Sequence, residues 1–555
     1  VTALGVQRSA KSLVYANQIV KGSELTDIKN DNLMNSLNGK VAGVTISPSA
    51  SGVGGSAKVI LRGSKNAFGT NQPLYVIDGV PISNSSNANG QPNSTFAGGP
   101  DGGDGISNLN PDDIESISVL QGASGSALYG SQAANGVILI TTKKGKIGTA
   151  KINFSSSYTN NTISYKPKFQ NKYGVTPNGN QSWGAALTTP EENDNLSVFY
   201  QHGQNISNSV NFSSGSALAQ TYFSYANTTA SGVEPTNKLV RNNFTFREIG
   251  HFLNNKLTVD ANTNYIQQKV DNTPSMGLFF NPLTGLYLFP VGNDITQYKD
   301  QYSIPQPERN GLLTQNWIAN EDLQQNPWWI LHKNPNYSTR NRLILNASVK
   351  YDFASWFNLQ VRGNIDRVSD TWERDLYSGT NPVNVIGRNG AFTRSDLTRT
   401  QKYGDVIASL KIPFKSPFKL EGLLGASNTD VITNGTSIDQ GLGLIIPNIF
   451  IAQNVATSVT SNVSNSSTHS QIQSAFGSLN LSYNDLLFLN ITGRNDWTSN
   501  LAFTSNISYF YPSTGLSIIL NQVLKLPTFI SFAKVRGSYA EVATSVPQYI
   551  TNPLS

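Results

Sequence analysis

Apolar and polar residues alternate along most of the chain after Lys146, in segments of about ten residues. The first such segment places Ile152 and Phe154 on one side and Asn153 and Ser155 on the other. The same period returns in segments 221–225, 257–265, 343–351, 357–361, 406–410, 479–483, 487–491 and 533–539. Successive side chains of a β-strand point to opposite faces, so the pattern predicts about 13 strands, each with one apolar and one polar face.

Two architectures share this period, a soluble β-sandwich and a transmembrane β-barrel. Strands of about ten residues have the length that a tilted membrane strand needs. The connections alternate between short turns, such as 253–256 and 415–418, and long loops at 271–339, 371–396 and 432–470. Transmembrane barrels likewise alternate short periplasmic turns with longer extracellular loops. The pattern therefore favours the barrel, with apolar side chains toward lipid and polar side chains toward the lumen.

The residues before this region follow a different pattern, in which short apolar strands are separated by polar loops. Residues 57–63 and 73–82 are two such strands. Asp78-Gly79 in the second predicts a tight hairpin turn, because both positions tolerate positive φ. Pro81 has no N–H to donate to a neighbouring strand, so we expect its strand to lie at the edge of a sheet.

One amphipathic helix is predicted in the same region, over residues 27–38. Ile28 and Leu33 fall on one face at helical spacing, and Thr26 precedes them as a helix cap. Gly39 follows as a helix stop. These patterns together indicate a small α+β unit ahead of the predicted barrel.

Composition and charge narrow the class of protein. Apolar residues make up 38% of the chain and charged residues 13%, with 22 Tyr and 25 Phe. A membrane barrel has this balance, because one face of each strand is polar and aromatic girdles lie at both interfaces. No run of about 18 apolar residues is present, so no transmembrane helix is predicted. The absence of cysteine excludes a disulfide scaffold, and a net charge of +6 over this length indicates no nucleic-acid partner.

No pattern in the sequence is typical of an enzyme, a cofactor site or a metal site. The glycine-rich stretch 122–136 imitates a phosphate loop, but the Gly-Lys-Ser/Thr of such a loop does not follow. The 4 histidines are not paired at metal-ligand spacing, and segment 101–105 lacks the further ligands of a calcium loop. Tight turns and close packing explain the glycines better. We therefore expect no catalytic residues, no cofactor and no metal.

Several segments match a known pattern closely. They are 61–63, 73–82, 121–130 and 133–145, and together they cover most of residues 40–146. These segments resemble the plug domain of SusC-like TonB-dependent transporters of the bacterial outer membrane. The residues that carry the plug signature are Arg62, Gly63, Asp78, Gly79, Gly122 and Gly136. Segments 489–497, 511–513 and 534–539 resemble a mid-barrel signature of the same family, and the end of its TonB box resembles Val1, Thr2, Ala3, Leu4 and Gly5.

The resemblance implies an α+β plug in the lumen of a barrel of about 22 strands. The chain would then divide into a TonB-box remnant and linker (1–20), a plug domain (21–147) and an incomplete barrel (148–555). About nine strands would follow Ser555. The lack of a leader before Val1 would mean that the sequence is mature or trimmed.

The resemblance also implies active import of a large nutrient, an oligosaccharide or a peptide, across the outer membrane. The implied partners are TonB, energised by ExbB and ExbD, a SusD-type surface lipoprotein, and outer-membrane lipid. Two other functions share the architecture: a TonB-dependent siderophore or cobalamin receptor, and a non-transporting adhesin or assembly component. A SusD-type gene immediately downstream would favour nutrient import.

Aromatic residues are the candidates for cargo contact, because sugar rings stack on aromatic faces and exposed aromatics also grip peptides. One long loop carries Tyr287, Trp317, Trp328 and Trp329, and Phe68 lies on a plug loop that we expect to face outward. Packing within the loop, or a girdle at the membrane interface, would explain the same residues.

Overall fold

The structure is a computed structural model that describes the chain apart from short segments. The described residues are 2–3, 6–7, 14, 16–65, 71–84, 99–121, 125, 129–190, 194–319, 324–381, 385, 387–412, 414, 417–457, 462–525, 527, 529–543 and 546–551. Within them, a small α+β unit is followed by a large antiparallel sheet.

The α+β unit, which resembles a plug domain and is called the plug domain below, contains short strands that form several small sheets. In chain order its strands are β1 (Thr2–Ala3), β2 (Val6–Gln7), β3 (Ala16–Lys21), β4 (Val44–Pro48), β5 (Ala57–Leu61), β6 (Leu74–Ile77), β7 (Val80–Ile82), β8 (Gly99–Pro100), β9 (Ile114–Gln121) and β10 (Val137–Thr142). A mixed sheet has the order β3-β9-β10-β6-β7, and β4 pairs with β5. Helix α1 (Gly22–Thr26) contributes Leu25 to a buried apolar core that includes Val59, Ile117 and Ile138.

The predicted hairpin is present between β6 and β7. Asp78 has φ 50° and Gly79 has φ 88°, as a tight turn of this kind requires. Pro81 lies on β7, which is the edge strand of the mixed sheet. Both local predictions are therefore confirmed, because short-range turn chemistry determines them.

The predicted helix over 27–38 is wrong. The α-helix ends at Thr26, and a separate 3-10 helix spans Leu33–Leu37. Asn32 caps this second helix by accepting a hydrogen bond from Met34 N at 3.0 Å. The backbone between the two helices contacts the large antiparallel sheet, which we call the wall. Arg241 of the wall donates to the carbonyl oxygen of Asp31 at 2.9 Å. Tertiary contact thus overrides the helical spacing.

Most of the remaining strands form the large sheet, and the others are short strands within its loops. In chain order they are β11 (Gly148–Asn161), β12 (Tyr173–Val175), β13 (Ser182–Ala186), β14 (Gly203–Gly215), β15 (Ala219–Ser231), β16 (Lys238–Phe252), β17 (Leu257–Asp271), β18 (Ser275–Met276), β19 (Ser303–Gln306), β20 (Leu312–Gln315), β21 (Asn336–Ala354), β22 (Phe357–Tyr377), β23 (Gly390–Ile412), β24 (Phe418–Ile438), β25 (Val463–Tyr483), β26 (Leu487–Thr498), β27 (Ser508–Ile519) and β28 (Lys534–Ala540).

Thirteen of these strands form one antiparallel sheet in the described part of the chain, which confirms the predicted number. Its order is β11-β14-β15-β16-β17-β21-β22-β23-β24-β25-β26-β27-β28, so successive strands are neighbours throughout. Among the described residues β11 and β28 are not paired with each other, and the sheet is therefore open.

Short turns join the strands at one end of the sheet and long loops at the other, as predicted. The turn 253–256 lies between β16 and β17, and Leu253, Asn254 and Asn255 all have positive φ. The long loops are shorter than predicted: they span 272–335, 378–389 and 439–462. The difference arises because β22 to β25 continue as paired strands for 21 to 23 residues each.

The two faces of the sheet differ in polarity. The inner face, which contacts the plug domain, carries buried polar side chains such as Asn205, Ser207 and Ser209. The outer face exposes apolar side chains, among them Val361, 47% exposed, and Leu424, 66% exposed. This alternation is the polarity that the sequence pattern predicts.

The long loops fold into a packed group at the loop end of the sheet. We call this group the loop crown; it comprises residues 194–201 and 279–333 where described. Its helices are α2 (Asn195–Phe199), α3 (Pro282–Leu288), α4 (Thr296–Asp300) and α5 (Pro327–Lys333). No helix in the described residues is long and apolar enough to cross a membrane.

Candidate functional site

Buried arginines on the inner face of the large sheet hold the plug domain. Arg342 on β21 and Asp366 on β22 are both 0% exposed, and Arg342 Nη2 lies 2.6 Å from Asp366 Oδ2. The same guanidinium donates to the plug carbonyl oxygens of Gly105 and Ser83, at 2.5 Å and 3.2 Å. The carboxylate offsets the buried charge, and the remaining donors of the planar guanidinium hold plug backbone.

Gly105 is required for this contact. A Cβ at residue 105 would lie 2.5 Å from the oxygen of Ser83 and 3.0 Å from Arg342 Nη1. Only glycine therefore lets the guanidinium approach the plug backbone this closely.

Other arginines repeat the arrangement along the wall. Arg340 Nε lies 2.7 Å from Asp370 Oδ1, and its Nη1 donates to the carbonyl oxygen of Asp104. Arg362 lies 2.5 Å from Asp405, with both side chains almost fully buried. The plug thus contacts an ion-paired surface of the sheet, in addition to apolar side chains such as Ile407, which belongs to one buried cluster with Val76 of the plug.

The hairpin turn of the plug, with the signature residues Asp78 and Gly79, has its own anchor. Asp78 Oδ2 accepts hydrogen bonds from Arg247 Nη1 at 2.9 Å and from Thr142 Oγ1 at 2.5 Å. Arg247 also binds Asp260 on β17 through Nε and Nη2, at 2.9 Å and 2.7 Å. One guanidinium on the wall therefore joins the turn to two wall strands and to β10.

A cavity of about 150 Å³ lies beside this anchor, between the plug and the wall. Its lining includes Asp78, Leu139, Lys144, Arg247 and Arg362. Charged groups of both the plug and the wall therefore line the cavity, where the hairpin turn of the plug contacts the wall.

Carboxylates on the plug make further contacts. Asp112 Oδ2 lies 2.6 Å from Lys29 Nζ and accepts a hydrogen bond from Ser209 Oγ at 2.5 Å. Asp113 accepts hydrogen bonds from Tyr222 and Thr245 on the wall, at 2.9 Å and 2.8 Å. Burial raises the pKa of Asp113. Because hydroxyl and ammonium donors are available, these carboxylates serve as attachment points on the plug.

The acidic segment 101–105 is structural. Asp101 Oδ2 accepts hydrogen bonds from the N–H and hydroxyl of Ser56, at 2.8 Å and 2.7 Å. Asp104 accepts from the N–H groups of Ala57 and Ser107, and burial raises its pKa. Among the described residues no group of three or more His, Cys, Asp or Glu side chains is placed to hold a metal ion.

The other plug-signature residues serve backbone geometry. Arg62 has φ 56° and donates from Nε to Gln121 Oε1 at 3.0 Å, and Gly63 has φ 86°. Gly136 has φ 102°, and a Cβ there would meet Leu61 Cδ1 at 2.7 Å. Gly122 lies outside the described residues.

The aromatic candidates for cargo contact fall into two groups, one fully buried and one partly exposed. Trp328 and Trp329 are 4% and 0% exposed inside the loop crown. Trp329 Nε1 donates to Thr380 Oγ1 at 3.1 Å. Tyr287 and Trp317 are only partly buried at the edge of the same cluster. Their partial exposure leaves ring surface accessible, whereas the two other tryptophans support the fold of the crown.

The structure describes only part of the remaining predicted residues, which are Phe68 and the TonB-box remnant. Phe68, Val1, Leu4 and Gly5 lie outside the described residues. Thr2 and Ala3 form β1, which pairs with β2 in a small antiparallel ladder.

The inward arginines and aspartates were not identified as site residues from sequence. A sequence signal for them does exist. Arg340 and Arg342 are two residues apart in a strand and therefore share one face, which is opposite to the apolar, lipid-facing one. Asp366 and Asp370 have the same phase in the next strand. Charged residues that keep the inward phase are thus the signal for contact with the plug.

Comparison with known proteins supports this arrangement. The TonB-dependent Receptor Plug Domain family matches residues 9–137. TonB-dependent receptor SusC of Bacteroides thetaiotaomicron is 28% identical over 362 residues, which are 62% of this chain and 34% of SusC. TonB-dependent receptor P26 of Formosa agariphila is 26% identical over 526 residues, which are 91% of this chain and 49% of P26. The chain spans about a third to a half of the length of these relatives.

Solved structures share the fold. The RagAB peptide importer in its open-open state matches 99% of this chain and 62% of its own chain, with a TM-score of 0.75 and 17% identity. The siderophore receptor PirA from Acinetobacter baumannii matches 98% and 64%, with a TM-score of 0.56 and 16% identity. In its plug domain, its strand order and its relatives, the chain is similar to the SusC-like TonB-dependent receptors.

Proposed function

We propose that the protein serves TonB-dependent import of a large nutrient, an oligosaccharide or a peptide, across the bacterial outer membrane. Its family is one of receptors and transporters rather than enzymes. The observation that carries the proposal is the polar attachment of the plug to the inner face of the sheet, through groups such as Arg342 and Arg247.

The polar part of the attachment suits a plug that has to move. An apolar plug–wall contact would lose its hydrophobic stabilisation when pulled apart and would expose apolar surface to water. Ion pairs and hydrogen bonds are replaced by bonds to water as the lumen fills, and each such exchange has a small net cost. The wall carboxylates Asp260, Asp366 and Asp405 keep their arginines paired when the plug leaves.

The energy source and partners belong to the same proposal. TonB, energised by ExbB and ExbD, would pair with the TonB box as an added β-strand, a mode in which main-chain hydrogen bonds supply the grip. A SusD-type lipoprotein would cover the loop end and share the cargo. Similarity to SusC and to the RagAB peptide importer supports this assignment over a siderophore receptor, whose solved example matches with a lower TM-score.

The decisive experiment deletes Val1 to Gly5 in the full-length protein. We expect uptake of labelled oligosaccharide or peptide to be lost while binding of the same cargo at the cell surface is retained. Undiminished uptake would overturn energised import, and loss of surface binding would show that the deletion acts on the fold instead.

Partly exposed aromatics are the proposed cargo contacts. Tyr287 and Trp317 present ring surface at the edge of the crown, and Phe68 remains a proposal from sequence. Tyr287→Ala and Trp317→Ala should each weaken cargo binding about tenfold, since a stacked aromatic contributes roughly 1–2 kcal/mol. Phe353→Ala, an exposed aromatic at the short-turn end, is the matched control. Unchanged affinity in both crown variants would place the cargo elsewhere.

A further inference from the structure

The outer face of the large sheet carries a groove across β22 to β26. Its free volume is about 610 Å³, and its lining includes Val361, Gly404, Val406, Ala426, Ala475 and Trp497. Val361, Val406, Ala426 and Ala475 lie directly opposite one another in the strand register, so they form a row across four strands. The groove is present because Val and Ala side chains occupy this row and Gly363 and Gly404 lie beside it on the loop side, while Leu359 and Leu424 border it on the short-turn side.

The groove is open to lipid and mostly apolar. Val361, Val406 and Trp497 are 47%, 44% and 42% exposed. From β22 to β26 there are four gaps between strands, which at about 4.8 Å each make the groove roughly 19 Å wide. This width gives room for the adjoining acyl chains of one lipid.

The loop-side edge of the groove is polar. The amide side chains of Asn428 and Gln473 line it there, next to Trp497. Tryptophan is typical of the level where a bilayer changes from hydrocarbon to headgroups. The groove therefore runs from the apolar zone of the outer face to its polar boundary.

Two cations stand immediately above this edge. Lys402 on β23 and Arg367 on β22 are diagonal neighbours in the register, which places their Cα atoms roughly 7–8 Å apart. Both side chains are exposed on the outer face. Neither forms an ion pair with any residue that the structure describes. Asp430, which lies opposite Lys402, is engaged with His469, whose Nε2 is 2.6 Å away.

We propose that this groove binds a phosphorylated lipid of the leaflet on the loop side, with its acyl chains on the small-residue row and its phosphate between Lys402 and Arg367. Charge complementarity selects this occupant, because two cations without an ion-pair partner adjoin an apolar groove at headgroup level. The proposal rests on the outer face being in contact with lipid. It is independent of cargo, of TonB and of import.

The groove is tested with the full-length protein in nanodiscs of neutral lipid that contain a small fraction of lipid A. The measurement is the amount of lipid A retained per protein, by native mass spectrometry. Ala426→Leu fills the groove and should lower retention roughly tenfold, because it displaces about two methylene groups of the bound chain. Ala261→Leu makes the same change at an exposed outward position on β17, away from the groove, and should retain lipid like the parent.

The headgroup site is tested in the same nanodiscs. Lys402→Gln and Arg367→Gln should each lower retention roughly fivefold, the effect of one cation at an anionic membrane surface. The matched control is Lys269→Gln, an outward cation on β17 that is paired with Asp271 at 3.0 Å. Lipid A without its phosphates should be retained by the parent as weakly as intact lipid A is retained by the double variant Lys402→Gln with Arg367→Gln.

Three outcomes would overturn the proposal. Equal retention of lipid A with and without phosphates would remove the headgroup site. Complete displacement of lipid A from the cation pair by inorganic phosphate, with the acyl chains still bound, would make the free anion the ligand. A change of oligomeric state in Ala426→Leu with unchanged lipid retention would make the groove an interface between two copies of the chain.

Discussion

The carboxylate of Asp78 accepts a hydrogen bond from Arg247 at 2.9 Å, and this contact joins the hairpin turn of the plug to the wall of the sheet. Arg247 keeps Asp260 as a second partner. Removal of the plug-side charge therefore weakens attachment without leaving a buried cation unpaired.

Asp78→Asn should loosen the plug while preserving its shape. The isosteric amide still accepts from the N–H of Thr142, but the charge-assisted bond to Arg247 is lost. We expect the seating of the plug to weaken by roughly 1–3 kcal/mol. The measurement is the rate at which a protease cleaves the plug in the folded protein. Asp352→Asn, which removes a half-exposed carboxylate at the short-turn end, is the control, and equal cleavage rates in the two variants would contradict the role of Asp78.

Arg342→Met should destabilise the protein strongly. It leaves Asp366 as an unpaired carboxylate in a fully buried site, a change that costs roughly 3–5 kcal/mol. The double variant Arg342→Met with Asp366→Leu removes both charges and should recover much of this loss. Thermal unfolding of the three proteins measures it. A double variant as unstable as the single one would show that hydrogen bonds to the plug backbone, rather than the buried charge, dominate.

Gly136→Ala should destabilise the plug more than Gly63→Ala. Both glycines have positive φ, at 102° and 86°, so each alanine is strained by roughly 1 kcal/mol. Only at Gly136 does the new Cβ also meet Leu61 and the oxygen of Leu120, at 2.7 Å and 3.0 Å. The added overpacking should cost roughly 1–3 kcal/mol. Equal melting temperatures for the two variants would show that the plug relaxes around the new methyl group.

Glu234 should make stability depend on pH. It lies in the turn 232–237, and burial raises the pKa of its carboxyl to about 7. The folded state thus holds the proton more tightly than the unfolded chain, where glutamate titrates near pH ~4.3. Its contribution to the free energy of unfolding is therefore present below about pH 4 and is lost as the pH rises to about 7.

Glu234→Gln isolates this effect. The variant should match the parent near pH 4 and exceed its stability at pH 8 by about 3 kcal/mol. Melting temperatures across this range provide the measurement, with Glu308→Gln, an exposed glutamate in the short 3-10 helix Pro307–Arg309, as the control. If the parent and Glu234→Gln decline in parallel with rising pH, the buried carboxyl is not the source of the dependence.

Local chemistry determined which features could be predicted. The Asp78-Gly79 turn and the edge position of Pro81 follow from backbone preferences within a few residues, and both are present. The number of strands follows from the period of two. The ends of β24 and β25 cannot be predicted in this way, because residues 432–438 and 463–470 are polar at most positions on both faces and therefore resemble a loop.

The pairing of the site residues depends on register, which sequence alone does not provide. Arg342 meets Asp366 only because β21 and β22 are aligned so that Arg342 lies opposite Val368. A shift of one strand by one residue would turn its side chain to the outer face and separate the pair. The burial of Trp328 is a similar case, since it depends on α5 packing against α2 and α3 in the crown.

The length of β22 to β25 sets the height of the loop crown. A strand of 23 residues, as in β23, extends roughly 75 Å, and at a tilt of about 40° it rises nearly 60 Å. The apolar band of a membrane barrel is about 25 Å tall. On the loop side the wall therefore stands some 25–30 Å clear of the bilayer, so a partner or cargo would first meet this protein well above the lipid surface.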